Sequence, residues 1–134
     1  MESSIDFARL LLDKARDDAY VVVRLCDDPA APDWVIGFHA EQAVEKAMKA
    51  MLASREIEYP RTHNIAMLIE LLRQNTLPVP PEADELPRLV PFGVALRYDD
   101  AAGEENFPLD RTWARRMVSA TIAWVERQLD KGMT

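Results

Sequence analysis

The fold is decided by one stretch, Asp33-Trp34-Val35-Ile36-Gly37-Phe38-His39-Ala40-Glu41-Gln42-Ala43-Val44-Glu45-Lys46-Ala47-Met48-Lys49-Ala50-Met51-Leu52-Ala53-Ser54. Ile36, Ala40, Ala43, Val44, Ala47, Met48 and Met51 recur at spacings of three and four, which lines one face of a helix. The many alanines on that face let a second helix approach closely. Asp33, just after Pro32, is the expected N-cap, because a short side-chain oxygen there satisfies a free backbone N–H. A second stripe, His39, Gln42, Lys46 and Lys49, is wholly polar. Glu45 lies beside it, and Glu45 to Lys49 is the favourable i, i+4 order for an ion pair. The stripe has two readings. Charged stripes ordinarily face water, which makes it a solvated face and His39 a helix-surface residue. Alternatively, Gln42, Glu45, Lys46 and Lys49 line a site for an anion.

Outward from this helix, the pattern stays helical. From Ser4 to Cys26, Phe7, Leu11, Ala15, Ala19, Val22 and Cys26 fall on one face, with Ser4 as the expected N-cap. Tyr20-Val21-Val22-Val23 is β-branched enough for a strand, but the helical period runs through it unbroken. Thr62 or Asn64 is expected to cap a third helix with Ile65, Leu68, Leu71 and Leu72 on its buried face, ended by Asn75. A fourth begins near Asp84 or Glu85 with Pro87 in its first turn. Pro91 either kinks it or marks a fresh start running to Tyr98, because proline removes a backbone donor. A fifth follows Asp110, with Trp113, Met117, Ala120, Thr121, Trp124, Gln128 and Leu129 on one face and Gly132 as its stop. No strand pattern survives. The expected architecture is all-α, an up-and-down bundle of four to five helices forming a single domain over residues 1–134.

Composition narrows the function. With 16 basic and 23 acidic residues the net charge is −7, which argues against a chain-wide basic surface for nucleic acid. Four glycines leave no phosphate-cradling loop. His39 and His63 share no zinc-type spacing, so neither a metal nor another cofactor is expected. The lone Cys26 lies on an apolar stripe, where a thiol is usually a small core hydrophobe. No apolar run can span a bilayer, and the start of the chain lacks a signal-peptide pattern. A cytoplasmic protein with no membrane partner is expected. One further cluster can carry chemistry, Arg97-Tyr98-Asp99. Its Arg either holds a phosphate beside a stacking Tyr, or satisfies a helix C-terminus while Tyr98 packs on the bundle.

Several of these residues match a known pattern. Phe38-His39-Ala40-Glu41-Gln42-Ala43-Val44-Glu45-Lys46-Ala47-Met48-Lys49-Ala50 resembles the signature helix of HEPN domains. Pro60-Arg61-Thr62-His63-Asn64-Ile65 resembles the family's P-x-T-H-D-L segment. Leu96-Arg97-Tyr98-Asp99 looks like its R-Y-P element, with Asp99 in place of the proline. Ala120-Thr121-Ile122-Ala123-Trp124-Val125 is similar to its closing A-x-x-I-x-W-V.

The resemblance implies a helical bundle like that of nucleotidyltransferase substrate-binding subunits, a homodimer, and a minimal nucleotidyltransferase as partner. Many such pairs are toxin–antitoxin modules whose HEPN member is a metal-independent ribonuclease. Others are described as binding nucleotide or substrate. The ribonucleases carry R-x(4–6)-H. Arg97 matches the Arg, but the positions for the His hold Ala102, Gly103 and Glu104. Metal-free RNA cleavage needs a group that moves protons near neutral pH, the role His suits best. The resemblance therefore implies a non-catalytic or weakly active protein that binds nucleotide, RNA or a partner nucleotidyltransferase in its dimer cleft. Arg97, Tyr98, Asp99, Gln42, Glu45, Lys46 and Lys49 would form the site. The alternative is a true ribonuclease toxin, with Arg97 catalytic.

Overall fold

A computed structural model describes residues 3–95 and 108–132. They form helices α1 (Ser4–Leu25), α2 (Asp33–Ser54), α3 (Ile65–Gln74), α4 (Val90–Ala95) and α5 (Arg111–Gly132), with a 3₁₀ turn over Leu86–Leu89 before α4. No strand occurs among the described residues. The fresh start at Pro91 is therefore the correct reading of the fourth segment, and α4 is described only as far as Ala95.

Local chemistry sets the helix ends. The cap of α1 is Ser3, one residue before the expected Ser4. Its hydroxyl accepts from the Asp6 N–H at 3.1 Å, and the Asp6 carboxylate accepts from the Ser3 N–H, closing a capping box. Asp33 does not cap α2 either. Pro32 holds the cap position without a side-chain bond, and the Asp33 carboxylate accepts from Arg111 Nε at 2.8 Å. Asn64 caps α3 as expected, accepting from the N–H groups of Ala66 and Met67, and Asp110 accepts from the Trp113 N–H at 3.0 Å.

Helix α2 is the axis of the bundle and packs against all four other helices. Ile36, Ala40, Ala43, Val44, Ala47, Met48 and Met51 are fully buried, as their spacing predicts. The face of α1 is rotated from the expected one. Ala8, Leu12, Ala15, Asp18 and Val22 point inward, while Phe7 is 41 % exposed. Two glycines let α4 lie against α2. A Cβ on Gly37 would stand 2.3 Å from the ring of Phe92, and one on Gly93 would stand 2.5 Å from the Glu41 carboxyl.

Arg111, at the start of α5, ties α5 to the end of α1 and the start of α2. Its guanidinium donates to the carbonyls of Leu25 (3.3 Å), Cys26 (3.2 Å), Asp28 (2.9 Å) and Ala31 (2.6 Å), besides Asp33. These carbonyls include the last ones of α1, which have no partner within their own helix. A cation is also favourable at that negative end of the dipole.

Two measurements follow. Arg111→Ala should lower the free energy of unfolding by about 2–3 kcal/mol, because charge-assisted hydrogen bonds are lost from half-buried carbonyls. A urea midpoint unchanged from wild type would contradict that role. Thr76 follows the C-cap of α3 with φ +59°, a conformation unfavourable for a β-branched residue. Thr76→Gly should therefore raise stability by about 1 kcal/mol in the same titration.

Candidate functional site

A helix advances about 100° per residue, so His39, Lys46, Gln42, Lys49, Glu45 and Glu41 follow one another around an arc of roughly 160° on α2. This is the polar stripe of the sequence, extended by the two glutamates. It is not a solvated face. Glu41 and Glu45 are buried, at 0 % and 3 % exposed, and His39, Gln42, Lys46 and Lys49 are half-buried. Every polar group taken from water this way needs a partner.

At one edge of the arc the partner comes from α1. Asp18 is 8 % exposed. Its Oδ1 binds His39 Nδ1 at 2.9 Å and its Oδ2 accepts from Lys46 Nζ at 2.6 Å. His39 is thus an interhelical residue rather than the surface residue expected, and the ring of Phe38 packs edge-on to it at 5.2 Å.

Near the other edge the same arrangement recurs. Glu45 Oε1 binds His63 Nδ1 at 3.0 Å, and Glu45 Oε2 accepts from Lys49 Nζ at 2.9 Å. The Lys49 ammonium also lies 5.8 Å from the centre of the Tyr59 ring. Burial favours the neutral form of Glu45 and is the largest single influence on it. The hydrogen bonds from Lys49, His63 and Glu41 together outweigh burial and hold its carboxyl below the usual range. Glu41 Oε1 accepts from Gln42 Nε2 at 2.7 Å. Burial pushes the Tyr59 hydroxyl up.

Each carboxylate therefore holds one imidazole through Nδ1 and one ammonium, and both histidines of the chain are used. With neutral imidazoles each triad is electroneutral, and imidazole protonation makes it cationic. Among the described residues no group of three or more His, Cys, Asp or Glu side chains is arranged to hold a metal ion. No described helix is long and apolar enough to cross a membrane.

Comparison with protein families finds the HEPN domain over residues 8–129. The chain belongs to the HEPN domain family. No curated protein and no solved structure matches it. Within this HEPN bundle, Gln42, Glu45, Lys46 and Lys49 share one arc of α2. Arg97, Tyr98 and Asp99 lie outside the described residues, as do Ala102, Gly103 and Glu104. Asp18, Glu41 and the Glu45–His63 bond are absent from the sequence-based site. Asp18 carries a readable signal, since it falls three residues after Ala15 and four before Val22 on the inward face of α1. Cys26 is half-buried with its thiol pushed up by burial. Its Sγ lies 3.7 Å from the Arg111 carbonyl, in keeping with a packing role.

The lowered Glu45 titration fixes a pH dependence. A carboxyl lowered on folding contributes stability above its unfolded value, about 4.3, and loses it as pH falls through the folded value. Glu45→Gln should cost about 3 kcal/mol at pH 7, because Lys49 loses its buried partner. It should also flatten the acid limb of the stability profile below about pH 4.3. Denaturant titrations from pH 7 to pH 3 check both, and parallel wild-type and variant profiles would contradict the assignment.

Proposed function

We propose that this HEPN protein is non-catalytic or weakly active and binds the phosphate groups of a nucleotide or RNA at the polar arc of α2. Gln42, Lys46 and Lys49 line that arc, with Glu45 holding Lys49 in place. Arg97 is the second phosphate-binding group, Tyr98 stacks on a base, and Asp99 completes the ligand-binding set. The observation that carries this reading is the anchoring of Lys46 and Lys49. Each ammonium is held by a nearly buried carboxylate while remaining 28 % and 16 % exposed, so two cations are fixed in position around the amide of Gln42. Pre-set cations lose little freedom when an anion arrives, which favours binding. The cleft between two copies of the chain, or between the chain and a minimal nucleotidyltransferase, supplies the other wall.

The family supports a second reading, a metal-independent ribonuclease acting as the toxin of a toxin–antitoxin pair. Arg97 would then stabilise charge on the cleaved phosphate. Growth arrest on expression, relieved by Arg97→Ala, is its expected signature.

The test is a titration of AMP and of a labelled RNA oligonucleotide by fluorescence anisotropy. Lys49→Ala and Arg97→Ala should each weaken RNA binding about tenfold, the worth of one charge-assisted contact. Binding should also fall steeply with added salt. Unchanged affinity for RNA, for AMP and for a co-purified nucleotidyltransferase in both variants would overturn the site.

A further inference from the structure

His39 lies on the polar arc but outside the phosphate-binding set proposed above. Its side chain is 28 % exposed, and its Nδ1 faces Asp18 Oδ1 at 2.9 Å. An ionised carboxylate only accepts hydrogen bonds, so Nδ1 carries the proton of the neutral ring and Nε2 the lone pair. Among the described residues Nε2 has no hydrogen-bond partner. In that form the ring offers an anion an acceptor rather than a donor. The same carboxylate also takes up the charge of Lys46, whose Nζ lies 2.6 Å from Asp18 Oδ2. Asp18, His39 and Lys46 are then electroneutral together, and this half of the arc attracts an anion weakly.

Protonation of His39 changes both properties. The triad gains one positive charge, and Nε2 becomes an N–H donor. A single carboxylate, 8 % exposed, then compensates two cations that still reach solvent. The surplus charge and the new donor sit on the same side chain.

The other charged groups stand further off. Along α2, Glu41 is buried two residues on, and the Glu45–Lys49–His63 triad, with Tyr59 beside Lys49, is centred about 9 Å along the helix axis. From α5, Arg111 meets Asp33, about 9 Å before His39 on the same axis. The described part of α4, seated on α2 through Phe92, carries no titratable side chain over Val90–Ala95.

We propose that His39 is an anion-binding residue recruited by protonation, so that the arc of α2 holds a phosphodiester more tightly as pH falls through the imidazole range. This rests on the reading of α2 as a phosphate site. The sign follows from linkage. The protonated ring binds the anion better, so the complex holds more protons than its free parts, and affinity rises as pH falls. A phosphodiester keeps one charge per linkage across this range, so the titration belongs to the protein.

The probe is a labelled 2′-O-methyl oligouridylate, followed by fluorescence anisotropy with the full chain at constant ionic strength. From pH 8 to about pH 5.5 the wild type should gain about tenfold in affinity, the worth of one charge-assisted contact. The slope of log affinity against log salt should steepen by about 0.7, one further phosphate neutralised on a single strand. His39→Asn keeps a donor for Asp18 and should lose most of the gain and the added slope. His39→Gln gives the same reading where the asparagine variant unfolds. His63→Asn should keep the gain, which separates the two histidines. Calorimetry in two buffers of different ionisation enthalpy, at about pH 6.5, should find net proton uptake on binding by the wild type and less by His39→Asn. Equal wild-type affinity at both pH values, or a gain undiminished in the His39 variants, would overturn the proposal and leave the phosphate site standing. A wild type that binds the strand at neither pH would overturn the phosphate site, and the proposal with it.

Discussion

Helix α2 is enclosed by the other four helices, yet it carries six polar side chains on one arc. That combination constrains the rest of the structure. A buried charge without a partner is far more costly than any single packing contact is favourable. The bundle is therefore arranged to deliver partners to α2. Helix α1 is rotated so that Asp18 rather than Phe7 faces inward. The loop before α3 brings His63 onto Glu45. Glycine at position 93 lets α4 close over the buried Glu41.

The same arrangement links fold to site. Lys46 and Lys49 are half-buried and restrained, so they differ from mobile surface lysines in both position and entropy. Arg97 follows α4 by two residues in the sequence, and α4 is seated on α2 through Phe92 against Gly37. Changes at Gly37, Gly93 or Glu41 thus act on α2 through the packing of α4. Arg111 works at the start of α2, where it joins α5 to the α1–α2 connection. The site and this staple are separate constructions on one helix.

Much of this was legible in the sequence. The apolar stripe of α2, the Asn64 and Asp110 caps and the break at Pro91 follow from local rules, and the structure holds them. The caps expected at Ser4 and Asp33 each lie one residue earlier, because Ser3 offers the same hydroxyl and the Asp33 carboxylate is taken by Arg111, which leaves Pro32 at the cap position without a side-chain bond. The polar stripe was harder. Its partners lie 28 residues away at Asp18 and 18 residues away at His63, and no periodicity within α2 announces them. Arg111 was illegible for a related reason. Four of its five acceptors are backbone carbonyls, which every residue has.

The central claim is that Asp18 and Lys46 are coupled across the α1–α2 interface rather than solvated side by side. A double-mutant cycle with Asp18→Ala, Lys46→Ala and the pair, measured by urea unfolding at pH 7, tests it most directly. The account predicts a coupling energy above about 1 kcal/mol, in the range seen for residues in one ion-pair network. Effects that add to within about 0.3 kcal/mol would contradict it and return the polar arc to a solvated face.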